Sequence, residues 1–261
     1  MTLLDDAHAV VREYSTTWYE PVTSMPPGLD EAVSCAYLLM RGVDEIEDHP
    51  SLGTADKSLL LRGVGRLLQT RFTADDFDDL FRNHRAVLPA VTLRIAEWTA
   101  LPSPDIGPRV YETFATMAER MAQWAEAGFV VRTATDLDRY TYAVSGTLVL
   151  MLSDLWAWHD GTRVNRTLGV AYGRALQSVN ILIDRDEDTA RHVDFWPDGW
   201  RTADMIAYAR RELAGADAYL AALSPGPART FCSEPLERAH RAVRLTAGLH
   251  DGVNGEEGDG A

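Results

Sequence analysis

Apolar residues recur at intervals of three and four along most of the chain, and no segment of two-residue alternation interrupts them. That period predicts an all-α fold. Thr2 to about Trp18 reads as a first helix, broken by Pro21, Pro26 and Pro27, and Pro26-Pro27-Gly28 opens the next. This second helix carries Ala36-Tyr37-Leu38-Leu39-Met40 and stops near His49-Pro50. Further helices are expected over about 55–69, 75–87, 89–99 and 109–127, with a proline-rich loop at 101–108. Asp136 caps a helix that carries Tyr140 and Gly146 to about Trp158, and another runs from near Asn165 into an acidic stretch. Phe195-Trp196-Pro197-Asp198-Gly199-Trp200 reads as a rigid aromatic loop ahead of helices over about 202–223 and 234–249. Neither a repeat nor a linker is visible, so 1–253 reads as one helical domain. Residues 254–261 are rich in glycine and acid and read as a disordered tail.

Two places break the polarity of this pattern. The apolar run 36–40 gives way to Arg41-Gly42-Val43-Asp44-Glu45-Ile46-Glu47-Asp48, and the apolar run 179–183 gives way to Asp184-Arg185-Asp186-Glu187-Asp188. Each places two aspartates four residues apart, which stacks both carboxylates on one helix face. Carboxylates repel at that distance, so a cation is the physical reason to hold them there. Acidic runs are commonly solvated helix faces. Here each starts where a buried stretch ends, and the shared grammar is that of two walls of one cavity. Oxygen-only ligands suit a hard cation, and Mg²⁺ in particular takes a few carboxylates together with substrate phosphates.

Bulk properties narrow the partners. The formal charge of −14 argues against nucleic acid or an anionic membrane surface as the main target, and an apolar share of 46% supports a full core. Cys35 and Cys232 form neither a disulfide framework nor a zinc spacing and read as reduced core residues. No basic and apolar leader opens the sequence, and no apolar stretch approaches the roughly 20 residues of a membrane span. The expectation is a cytoplasmic protein without stable membrane insertion.

Five blocks in order resemble the squalene/phytoene synthase family. Tyr37 to Asp48 is similar to its first Asp-rich motif, including the preceding arginine, Arg41. Asp138-Arg139-Tyr140-Thr141-Tyr142-Ala143-Val144-Ser145-Gly146 is similar to its tyrosine-bearing segment. Gln177-Ser178-Val179-Asn180 through Asp188 resembles the second Asp-rich motif, and Asp194-Phe195-Trp196-Pro197 the loop after it. Ser15, Thr17 and Trp18 fall where the family has an N-terminal Ser-x-Ser/Thr-Phe. The resemblance implies a single-domain helical terpenoid-synthase fold with a central cavity. In it, Mg²⁺ held by Asp44, Asp48, Asn180, Asp184 and Asp188 bridges to an allylic prenyl diphosphate. It implies a catalytic role for these four aspartates and for Tyr140, whose hydroxyl would steer or relay a proton. Arg41, Ser15, Trp18, Tyr37, Gln177, Asn180 and Arg185 would contact diphosphate or substrate. Aromatic faces, from Trp18, Tyr37, Tyr140, Tyr142 and Trp156, would stabilise the allylic cation.

The departures from the family pattern shape the functional expectation. Ile183 stands where the family has an arginine before the second motif's first aspartate, and Val193 stands where it has another. Arg185 and Arg191 lie nearby, on a different register. Residues 236–241 are polar and charged where the family opens a long apolar helix, and nothing corresponds to its C-terminal reductive and anchoring segments. The sequence therefore favours a Mg²⁺-dependent prenyltransferase that ionises one short donor, such as dimethylallyl diphosphate. It would alkylate a small aromatic acceptor, such as a carbazole. Head-to-head squalene- or phytoene-type synthesis, terpene cyclisation and a non-catalytic binding protein are the alternatives.

Overall fold

The computed structural model describes the backbone from Thr2 to Glu256 and side chains to Leu249, and every regular element among these residues is helical. The chain divides into two compact units, Met1–Gly128 with Met151–Arg163, and Phe129–Leu150 with Val164–Ala261.

In the first unit, α1 (Leu3–Tyr14) begins at a capping box. The Thr2 hydroxyl accepts the Asp5 N–H at 3.1 Å, and the Asp5 carboxylate accepts the Thr2 N–H at 2.8 Å. The helix ends before the expected Trp18, because Ser15 is extended and its hydroxyl accepts the Trp18 N–H at 3.0 Å. A short α2 (Tyr19–Thr23) follows, and then α3 (Leu29–Glu47). Its entry depends on Gly28, whose φ of 86° is left-handed and suits glycine, while Glu31 accepts the Gly28 N–H at 2.5 Å. Cys35, Leu38, Leu39, Val43 and Ile46 of α3 are fully buried.

After α4 (Thr54–Leu68) and α5 (Ala74–Phe81), the helix expected over 89–99 is two pieces, α6 (Ala90–Leu93) and α7 (Ile95–Trp98). Tertiary bonds favour the break at Arg94. Thr92 donates to the Gly42 carbonyl at 2.9 Å, and the Trp98 indole donates to the Val91 carbonyl at 3.0 Å. The Arg94 guanidinium lies 4.0 Å from the Trp98 ring centre and pairs with Asp6 and Glu97. α8 (Gly107–Glu126) packs along α4, where Arg62 reaches both Glu119 and Glu126. α1, α4, α6 and α8 all pack on α3.

In the second unit, α9 (Ala134–Thr141) passes into a π-helical turn, Tyr142–Gly146, in place of the single helix the sequence predicts; α10 (Thr147–Asp160) follows, its residues from Met151 on belonging to the first unit. The cause of the π-helical turn lies in α11 (Arg166–Ile183). A Cβ on Gly173 would sit 2.6 Å from the Ser145 carbonyl oxygen, so the two backbones are in direct contact there. A widened turn gives the room a regular helix would not. α12 (Arg185–Ala190) is short. α11 packs along α13 (Thr202–Ala222), and both pack against α14 (Pro227–Glu256), which starts earlier than its sequence pattern predicts and contains Pro235. Arg174 of α11 joins Asp138 of α9 to Tyr208 and Glu212 of α13, with Tyr208 donating to Asp138 at 2.8 Å. Cys35 and Cys232 are both buried and free. The expected acidic tail falls mostly outside the described residues, since α14 is described to Glu256 and 257–261 are not. No helix among the described residues is long and apolar enough to cross a membrane.

Candidate active site

The first Asp-rich motif forms the last turn of α3. Asp48 caps the helix, and its N–H donates to the Asp44 carbonyl at 2.8 Å, so the pair shares one helical turn as the spacing predicts. No basic residue occupies that turn, and both carboxylates sit at the negative end of the helix dipole. Asp44 is partly buried while Asp48 is exposed. Burial pushes the Asp44 carboxyl up to about 7, Asp48 adds repulsion, and Arg41 opposes both. An ionised pair here is unfavourable until a cation joins it.

Of the residues expected to contact diphosphate or substrate, Tyr37 lies midway along α3 and Arg41 one turn before Asp44. Tyr37 is buried and hydrogen-bonded to Ser15, with its hydroxyl pKa raised chiefly by burial. Ser15 in turn holds the Trp18 backbone. The Arg41 Nε–H donates to Glu45 Oε1 at 2.9 Å, Nη2–H donates to the same oxygen, and the guanidinium lies 5.2 Å from the Tyr14 ring centre. Glu45 and Tyr14 were not singled out by the sequence. The i,i+4 spacing of Arg41 and Glu45 carried a signal for the pair, whereas the approach of Tyr14 from α1 carried none.

The second Asp-rich motif departs from expectation. It does not continue α11: the helix ends at Ile183, and Asp184 serves as its C-cap and as the N-cap of α12. The local turn survives the break, because the Asp188 N–H donates to the Asp184 carbonyl at 2.9 Å. Asp184 is exposed, and its carboxyl is raised by burial of its surroundings and by Glu187 and Asp188, against Arg191. Asp188 is buried and accepts from Arg191. Asn180 is exposed one turn before Asp184, and its backbone carbonyl accepts the Asp184 N–H at 2.8 Å; Gln177 is partly buried one turn earlier.

Arg185 is committed elsewhere. It donates to Asp194 Oδ2 at 3.0 Å and lies 3.9 Å from the Trp196 ring centre, fastening the aromatic loop. The Trp196 indole donates to the Ile181 carbonyl at 3.2 Å. Tyr140 is 4% exposed and stacks on Phe195, with ring centres 4.3 Å apart and planes 19° from parallel. Tyr142, at the head of the π-turn, is the more exposed of the two tyrosines, and Trp156 is buried. The Tyr140–Phe195 stack was hidden in the sequence because the partners are 55 positions apart.

The donor chemistry fits Mg²⁺. Asp44 and Asp48 offer carboxylate oxygens at the C-terminal end of α3 and Asp184 at that of α11, while Asp188 lies in the first turn of α12, and no group of three or more His, Cys, Asp or Glu among the described residues could hold a metal alone. Two carboxylates are what Mg²⁺ uses when water and phosphate complete its shell.

The squalene/phytoene synthase family model matches residues 11–203, which contain both motifs, the tyrosine segment and the aromatic loop. The chain belongs to the squalene/phytoene synthase family. Among its relatives, squalene synthase of Schizosaccharomyces pombe is 27% identical over 67% of this chain and 40% of its own length. The 15-cis-phytoene synthase of Synechocystis is 26% identical over 70% of this chain and 52% of its own length. The chain thus spans about half the length, or less, of these family members. Its fold is that of TcSQS, solved with the ligand BPH1237, at a TM-score of 0.74 and 19% identity, over 94% of this chain and 79% of that one.

Proposed function

We propose that this protein is a Mg²⁺-dependent, prenyl-transferring enzyme of the squalene/phytoene synthase type, joining two prenyl diphosphates. One observation carries the reading: Asp44 and Asp48 close α3 and Asp184 closes α11, with no base in the last turn of either helix, Arg41 stands one turn before the first pair, and the family match spans both motifs. The relatives named as squalene and phytoene synthases support a second prenyl diphosphate as co-substrate.

Asp44 and Asp48, and Asp184, Asp188 and Asn180, would hold Mg²⁺, which supplies charge neutralisation to the diphosphate leaving group. Arg41 donates a charge-assisted hydrogen bond to a diphosphate oxygen. The carbon–oxygen bond breaks and its electron pair leaves on diphosphate. The alkene of the second prenyl diphosphate attacks the allylic carbon, and a proton passes to a base. Tyr37 and Trp18 offer aromatic faces to the cation at the first motif. Tyr140, buried against Phe195, supports the loop after the second motif rather than presenting its ring to solvent.

A second reading, transfer to a small aromatic acceptor, rests on the flank of the second motif. Ile183 is 50% exposed where the family resemblance expects an arginine, while Arg185 and Arg191 are paired with Asp194 and Asp188. Incubation with Mg²⁺ and C5 to C20 prenyl diphosphates, with and without indole or carbazole, separates the two. A C30 or C40 product from prenyl diphosphate alone supports the first. Products that require the acceptor overturn it in favour of the second.

A further inference from the structure

Arg41 is held from two sides. Glu45 Oε1 accepts from both Nε and Nη2, and the ring of Tyr14 lies 5.2 Å from the guanidinium carbon. A guanidinium has five N–H donors in a planar fork. Glu45 uses the edge formed by Nε and Nη2, and the guanidinium carbon lies over the ring of Tyr14. The Nη1–Nη2 edge, with one N–H from each nitrogen, is not used by Glu45 and is the part left for another acceptor. The Arg41 side chain is 35% exposed, so that edge is reachable by a ligand. Glu45 and Tyr14 come from different helices, α3 and α1, so the orientation is fixed by tertiary structure and not by the rotamer preference of Arg41 alone.

We infer that Glu45 and Tyr14 are positioning residues that orient Arg41 so that its Nη1–Nη2 edge receives a diphosphate. The inference rests on the proposed role of Arg41 as a diphosphate ligand. An arginine already ordered loses less freedom on binding, and immobilising a long side chain costs enough to change affinity about three- to tenfold. Glu45 also brings a negative charge toward an anionic ligand, an effect of opposite sign. The two effects separate by comparing variants of equal charge. Glu45→Gln keeps an acceptor for the guanidinium and removes the charge. Glu45→Ala removes both.

The experiment measures binding of inorganic pyrophosphate with Mg²⁺ by calorimetry, on the full chain, with melting temperatures recorded to check folding. Glu45→Ala is expected to bind about three- to tenfold more weakly than Glu45→Gln. Tyr14→Phe, which keeps the ring, is expected to match wild type, and Tyr14→Leu to bind more weakly. In the Arg41→Gln background, Glu45→Ala and Glu45→Gln are expected to be equal. Equal affinity of the two Glu45 variants in the wild-type background overturns the positioning role. If Arg41→Gln itself leaves pyrophosphate affinity unchanged, the assignment of Arg41 to the diphosphate fails first, and that result is distinguishable from failure of the positioning role.

Discussion

At the scale of single residues, Asp44 joins stability to function. Its carboxyl titrates near 7 in the folded chain against 3.8 for the ordinary value, because burial and Asp48 penalise the charged form. The folded state therefore holds a proton that the unfolded state has released over that interval, and stability falls as pH rises from about 4 to 7. The stabilisation is present in full below the unfolded value and is lost above the folded one, an effect of up to about 4 kcal/mol. Asp44→Asn should flatten this part of the profile and make the metal-free protein more stable than wild type at pH 8, in urea titrations across pH. Added Mg²⁺ should stabilise wild type more than Asp44→Asn, which keeps only the ligands of the second motif intact. The carboxylate spacing and the arginine before it were legible because they are local. The grip of Tyr14 on Arg41 was not, since it joins two helices that the sequence does not order in space.

At the scale of elements, the helical period identified most helices and missed their interruptions. The breaks at Arg94 and at Tyr142–Gly146 have tertiary causes that a window of sequence does not contain. Thr92 bonds to another helix, and Gly173 admits the Ser145 carbonyl. The second case gives a direct prediction. Gly173→Ala places a methyl 2.6 Å from that oxygen and 2.9 Å from the Gly146 Cα, both backbone atoms that cannot rotate away. It should destabilise by about 1–3 kcal/mol in chemical denaturation, despite alanine's better helix propensity. Gly248→Ala, with nothing near the added methyl, should be neutral or slightly stabilising. Arg174→Met should also destabilise, because it leaves Asp138 and the buried Glu212 with less compensation; Arg211, beside Glu212 at 3.0 Å, limits the loss.

At the scale of the whole molecule, a chain of formal charge −14 handles an anionic substrate only where positive charge is supplied locally. In the proposed function Arg41 would be one source and Mg²⁺ the other. Pyrophosphate should accordingly bind measurably with Mg²⁺ and weaken sharply when EDTA removes it. Family membership was legible in the sequence because five short blocks keep their order. The choice between a second prenyl diphosphate and an aromatic acceptor turned on Ile183 and Val193, and the named relatives weigh toward the former. The central claim is that both aspartate pairs serve ionisation of a prenyl diphosphate. It is tested most directly by diphosphate release from C15 and C20 prenyl diphosphates, measured with Mg²⁺ for wild type, Asp44→Ala and Asp184→Ala of confirmed helical content. The account predicts Mg²⁺-dependent release by wild type and a loss of at least about 100-fold in each variant; release undiminished in both variants would contradict it.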